Sequence, residues 1–277
     1  VKRLKPKTSA QPSNCSEKGN NDMAVRIAIC NRKGGTGKST VSVNLAAGLA
    51  EHGFRVLIID LDSQSHCAAG LGIKPSAPFV HDIFRGDHQA LNDSIVLSDY
   101  PGLWLSPADP TFDHNNAGEN QLQLDEVLQQ SDIDDRFDVV LMDTPPSQDQ
   151  LLMNALMAAD WVVVPFVPHF LSYQGIKQLV RLMHSVKLSN NPKLQLAGFL
   201  PTMASKTMKH HKAVMEEVSR HFGHDRILPA IRTDIRLADA FSKGQPVIGF
   251  APKSRAAEDF SVLSQCIGER LSEREHA

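Results

Sequence analysis

Residues 25–50 set the strongest constraint on what this chain can become. The run VRIAIC reads as a buried strand, NRKGGTGKST breaks it with glycines, and TVSVNLAAGLAEHG resumes at helical period. A strand that turns through glycine directly into a helix places converging backbone N–H groups and the positive end of the helix at one point, a ready seat for phosphate. Gly34, Gly35 and Gly37 let the backbone approach an anion closely, with Thr36 and Thr40 completing the loop. Lys38 is placed to neutralise β- and γ-phosphate oxygens, and the Ser39 hydroxyl to take a position on Mg²⁺.

The rest of the chain continues the same alternation. Strands are predicted over 25–30, 55–60, 103–106, 138–143, 161–167 and 194–200, and amphipathic helices over 39–52, 147–159, 171–187, 205–222 and 254–272. β-Branched runs without a polar face, separated by helices, predict an α/β domain: a mostly parallel twisted sheet flanked by helices on both faces. Residues 1–22 are rich in Lys, Ser, Asn and Pro and are read as a disordered basic tail, leaving 23–277 as one domain.

Composition narrows the setting. With 42% apolar and 22% charged residues the chain is an ordinary globular one, and a net charge of −2 gives no overall attraction to nucleic acid or anionic lipid, so any such contact must come from a local patch. Cys15, Cys30, Cys67 and Cys266 form no C-x-x-C pair, which favours free thiols in the cytoplasm. No apolar run has membrane-spanning length and no secretory h-region is present.

Two acidic segments follow at strand ends. Asp60 and Asp62, spaced by two in IIDLDSQSH, face one side of the chain at the crevice where open α/β sheets bind ligands. FDVVLMDTPPS ends an apolar strand in Asp143, the pattern of an acid that holds Mg²⁺ directly or through water.

The plain phosphate-loop pattern wants glycine at position 32, where this chain has Arg32. The narrower series Lys33-Gly34-Gly35-Thr36-Gly37-Lys38-Ser39 resembles the deviant phosphate loop (deviant Walker A) of the ParA/MinD superfamily of P-loop NTPases, in which the first lysine is the signature. Position 33 lies on the rim of its own loop. The resemblance implies that Lys33 reaches across a homodimer interface to the phosphates held by the facing subunit, so that ATP and Mg²⁺ join two copies. The DLDSQ segment is similar to the family's D-x-D-P-Q, with Ser63 in place of proline and expected to loosen the switch. By that match Asp62 orients the attacking water and Asp60 supports the magnesium shell; Lys33, Lys38 and Asp62 are the expected catalytic residues.

The resemblance extends over about 250 residues. GFLPTMASK and IRTDIRLADAFSKGQPVIGF are similar to segments that close over adenine, placing Thr202, Met203 and Asp234 at the base, with Arg232 standing where relatives carry proline. It also implies non-specific DNA binding through Lys206, Lys209, Lys212, Arg236 and Lys243, a nucleoid location, and slow hydrolysis stimulated by a ParB-like or cargo-adaptor partner in plasmid or chromosome segregation or protein positioning. The basic stripe Lys177, Arg181, His184 and Lys187 reads as solvated surface, and the adjacent pair His210-His211 as no metal site, because neighbours on a helix point apart. A MinD-like membrane cycle is disfavoured by the acidic polar face of the last helix, and a nitrogenase-type iron–sulfur protein by the lack of a mid-chain cysteine pair. The alternatives are a cytosolic P-loop metabolic enzyme of amidoligase type or a MinD-like positioning ATPase.

Overall fold

The computed structural model describes residues 23–147, 149–205 and 207–275, so the tail expected over 1–22 lies outside the described residues. In chain order the elements are β1 (Val25–Ile29), α1 (Lys38–Glu51), β2 (Val56–Asp60), α2 (His66–Gly70), α3 (Ala90–Asp93), β3 (Val96–Leu97), β4 (Leu103–Ser106), α4 (Gln123–Gln130), α5 (Ile133–Arg136), β5 (Val139–Asp143), α6 (Gln150–Ala158), β6 (Trp161–Phe166), α7 (Phe170–Ser189), β7 (Gln195–Pro201), α8 (Lys209–Phe222), α9 (Arg236–Ser242), α10 (Val247–Phe250) and α11 (Arg255–Glu275). Short 3₁₀ turns cover Val80–Arg85 and His114–Asn116.

Seven strands form one sheet in the order β3-β4-β2-β5-β1-β6-β7, parallel throughout except for the β3–β4 pair. All six predicted strands are present, within a residue or so of their expected ends. The two-residue edge strand β3 was not predicted, since so short a piece carries no period.

Alternation along the inner strands sorts their side chains into two layers. Ile27 and Ile29 of β1 and Ile58 of β2 pack with Leu45 and Leu49 of α1 and Phe260 and Leu263 of α11. Ala28 and Cys30, with Leu57 and Ile59, face the opposite layer, where Leu156 of α6, Ile176 and Leu179 of α7 and Val214 and Val218 of α8 close the core. Apart from the polar residues that close β2, β4 and β5, Arg26 breaks the apolar pattern of the inner strands. Arg26 is fully buried, and its guanidinium is held by Asp125 of α4 at 3.0 Å and Asp134 of α5 at 2.9 Å, which offsets the desolvation of a buried charge and pins both helices to the sheet.

The topology fixes where a ligand sits. β1 lies between β5 and β6; the crossover through α1 carries the chain to β2 on one side, while α6 carries it from β5 to β6 on the other. The crevice opens at that reversal, beyond the carboxyl ends of the strands. Gly34, Asp60, Asp143 and Thr202 all fall at those ends, following or closing β1, β2, β5 and β7.

Candidate active site

The glycine loop leaves β1 and is fixed at both ends before it turns. Asn31 donates from Nδ2 to the Pro165 carbonyl of β6 at 2.7 Å and accepts the Lys33 N–H on Oδ1 at 3.0 Å. Thr202, past the end of β7, donates from Oγ1 to the Thr36 carbonyl at 2.9 Å. Gly35 and Gly37 sit at φ +71° and +83°, a region closed to most L-residues, and a Cβ built on either would meet no protein atom within 4 Å. The space these glycines clear is therefore not taken up by the protein itself.

The helix that follows is open at its start. α1 begins at Lys38, its first turn has no acidic residue, and Gly37 provides no side-chain cap, so its N–H groups face the crevice without a partner from the cap. Arg32 occupies the position where the general pattern has glycine, and the structure shows how it is accommodated. Its guanidinium turns away to donate to Gln178 Oε1 of α7 at 2.8 Å.

The loop's two lysines are placed differently. Lys38 is buried; desolvation pushes its pKa down, opposed by the charges of Asp143 and Asp62. Lys33 is exposed on the rim. Ser39 hydrogen-bonds to Asp143, which also accepts from Ser42 Oγ at 3.0 Å on Oδ1 and from the Cys67 thiol at 3.3 Å on Oδ2. Asp60 accepts the backbone N–H of Asp62 at 3.1 Å and of Cys67 at 3.2 Å.

Asp60 and Asp143 are fully buried, and desolvation drives both carboxyl groups above their usual range; the neighbouring Asp143 charge adds to this at Asp60. Ligating atoms of Asp60, Asp143 and Cys67 lie within 4.8 Å of one another. Burial and the adjacent carboxylates keep the Cys67 thiol protonated, so it serves as a donor to Asp143, and the oxygen set of Ser39, Asp60 and Asp143 fits a hard divalent cation such as Mg²⁺.

Asp62 is nearly buried at the crevice edge, where its Oδ1 accepts the Gln64 N–H at 3.0 Å. Ser65, three residues on, has φ +53°, and Met203 across the cleft has φ +49°. Non-glycine residues held in this region cost about 1–2 kcal/mol each. Both lie in segments bordering the crevice.

A cleft of about 750 Å³ runs from the glycine loop past Asp62, Gln64 and Pro146 to Thr202, Met203, Ile231, Arg232 and Asp234. The sequence thus placed its loop and base-side residues along one continuous cavity. Asp234 lines it with its carboxylate already used: Oδ1 accepts the Arg236 N–H at 3.0 Å and Oδ2 the Ala256 N–H at 3.2 Å, in the first turns of α9 and α11. Arg232 is bound to Asp259 at 2.7 Å and Glu258 at 2.6 Å, tying the far wall of the cleft to α11.

Of the expected basic patch, Lys209 and Lys212 are exposed on α8, and Arg236 and Lys243 are exposed at the two ends of α9. α8 begins at Lys209 rather than 205, and Lys206 lies outside the described residues. Arg236 also pairs with Asp239 at 3.3 Å. His210 and His211 do not converge: His210 accepts the Phe170 N–H and His211 the Ser205 N–H. Among the described residues no helix is long and apolar enough to cross a membrane.

Sequence reasoning missed the residues packed behind the acids. Ser42 and Cys67 touch Asp143 directly. Fully buried His81 donates from Nε2 to the Leu61 carbonyl at 3.2 Å and accepts the Asp109 N–H on Nδ1 at 3.0 Å. His114 bridges Ser63 and Asp149. Only Asp149 carried a local signal, an N-cap residue before an apolar run; it caps α6 by accepting the Leu151 and Leu152 N–H groups, so that helix starts later than predicted.

A family model described as an AAA domain matches residues 24–196. The chromosome partitioning protein ParA of Caulobacter vibrioides is 32% identical over 259 residues, covering 90% of this chain and 96% of that protein. The chromosome-partitioning ATPase Soj of Thermus thermophilus is 35% identical over 248 residues, covering 90% and 97%. Among solved structures, that of cobyrinic acid a,c-diamide synthase from Mycobacterium smegmatis with bound ADP and magnesium is 30% identical, with a TM-score of 0.69 over 88% of this chain and 93% of that one. Loop, acids, sheet order and these likenesses agree, and the chain belongs to the ParA/MinD-type P-loop ATPases.

Proposed function

We propose that this protein is a Mg-ATP-dependent ATPase that dimerises on ATP, binds DNA without sequence preference, and segregates or positions a cargo, releasing when a ParB-like or cargo-bound partner stimulates hydrolysis. The observation that carries the reading is the division of labour in one loop: Lys38 buried beside the acids, Lys33 exposed on the rim. A cation buried at the helix start serves the nucleotide in its own subunit. One standing free at the edge is available to a second subunit's nucleotide.

Phosphoryl transfer of this kind needs positioning and charge neutralisation more than covalent chemistry. The glycine-loop N–H groups and Lys38 hold the phosphates, Ser39, Asp60 and Asp143 hold the cation, and Asp62 orients water. Mg²⁺, when bound, neutralises charge on the β- and γ-oxygens. The likeness to Caulobacter ParA and Thermus Soj over nine-tenths of the chain supports partition work over metabolism. The amidoligase alternative shares the loop and the fold, as the likeness to the Mycobacterium structure illustrates, but gives the basic patch no role.

The test is DNA binding with ATP, ADP and no nucleotide, on the parent and on Arg236→Glu. ATP-dependent binding that weakens in Arg236→Glu and falls steeply with salt is the expected result. Absent or nucleotide-independent binding by the parent would overturn it.

A further inference from the structure

The turn carrying Asp62 is held from behind by a three-member hydrogen-bond chain. Ser63 Oγ lies 3.0 Å from His114 Nε2, and His114 Nδ1 lies 2.7 Å from Asp149 Oδ2. Asp149 also accepts from Ser147 Oγ, and its other oxygen caps α6 through the Leu151 and Leu152 N–H groups. The carboxylate holds the ring proton on Nδ1 and raises the pKa of the ring, and Nε2 pairs with the Ser63 hydroxyl. His114 is thus a strut between two segments: the Asp62 turn after β2, and the Pro145-Pro146-Ser147 turn after β5 that runs into α6.

The arrangement has the members of a nucleophilic triad, but its position assigns a different role. Asp62 and Gln64 line the cleft, whereas Ser63 between them does not; its hydroxyl points back to His114. The chain therefore acts on the backbone of the turn rather than on a substrate. By the resemblance to the D-x-D-P-Q segment, Ser63 also stands at the family's proline position. A proline ring fixes φ and stiffens a turn, and serine gives that stiffness up. The hydrogen bond to a capped, packed strut returns it.

We propose that His114 is a positioning residue for hydrolysis, clasping the Asp62 turn to the start of α6 through Ser63 and Asp149 in place of the missing proline. This rests on Asp62 being the water-orienting acid. None of Ser63, His114 and Asp149 lines the cleft, so the clasp acts on turnover and not on nucleotide affinity.

The test is single-turnover and steady-state ATP hydrolysis with Mg²⁺ by the full chain and by Ser63→Ala, His114→Ala, the double variant, and Ser63→Pro combined with His114→Ala. Losing one such hydrogen bond lowers kcat about fivefold with KM unchanged, and the double variant falls no further than either single one. Ser63→Pro in the His114→Ala background recovers the parental kcat. Parental rates in both single variants, losses that multiply in the double, equal loss of kcat and ATP affinity, or no recovery with proline would each overturn the clasp. Ser63→Ala removes one hydroxyl oxygen and keeps the test open where His114→Ala misfolds. Asp62→Ala separates the two claims: abolished turnover there with unaffected clasp variants refutes only the clasp, while parental turnover in Asp62→Ala refutes the underlying assignment.

Discussion

Acidification provides a direct probe of the packing behind the switch acids. His81 is fully buried, stacks on Phe112 with ring centroids 4.3 Å apart, and spends both ring nitrogens on backbone groups. Its surroundings include Arg85, Asp109 and His114, and burial, the largest influence, pushes its pKa down to about 4. A charged imidazolium would lose its Nδ1 acceptor role toward the Asp109 N–H, so the folded state favours the neutral ring. Above the unfolded pKa of about 6.5 both states are neutral and His81 imposes no penalty. Below it the unfolded chain takes up a proton that the folded chain refuses. Stability then falls by about 1.4 kcal/mol per pH unit until the folded ring titrates, roughly 3 kcal/mol in all. Urea unfolding of the parent and of His81→Phe from pH 7.5 to 4 measures this. The variant is less stable at pH 7.5, having left the Leu61 carbonyl and Asp109 N–H unpaired, and the difference between the two shrinks as pH drops. A difference that stays constant across that range, or an NMR titration of His81 near 6.5, refutes the reasoning.

Further expectations follow from the same geometry. Arg26→Ala strands Asp125 and Asp134 without their buried cation and costs about 3–5 kcal/mol, read by chemical denaturation. Gly35→Ala forces a side chain into positive φ, costing about 1–2 kcal/mol of stability, and adds a methyl group to a residue that lines the cleft, so calorimetry is expected to show ATP affinity falling by more than the stability change implies. Under native conditions, mass spectrometry of maleimide-treated protein finds partly exposed Cys266 labelled, while Cys30 and Cys67 stay unmodified until denaturant is added; burial hides both and pushes the Cys30 thiol up to about 12.

Sequence carried the parallel core because its strands are apolar runs buried on both faces, and their period survives any tertiary context. The glycine loop was legible for a related reason: the backbone conformation at Gly35 and Gly37 and the open N-terminus of α1 restrict which residues fit. What escaped was either short or made by distant partners. The helices α2, α3, α5, α9 and α10 are four to seven residues long, too brief to show a helical period, and the eight-residue α4, barely two turns, also went unpredicted. His81 meets Leu61 across 20 residues and His114 meets Ser63 across 51, pairings that exist only once the sheet has assembled. Arg32 and Arg232 looked like departures from pattern; the structure shows each finding side-chain partners outside the phosphate loop, on α7 and α11.

The central claim is that Lys33 serves a neighbouring subunit's nucleotide, and sedimentation velocity with Mg-ATP tests it most directly. If Asp62 orients the attacking water as proposed, Asp62→Ala binds ATP without turning it over and is expected to sediment as a dimer, and adding Lys33→Ala is expected to return it to monomer while ATP still binds the single chain. A double variant that stays dimeric, or that loses dimer and nucleotide binding together, contradicts the account.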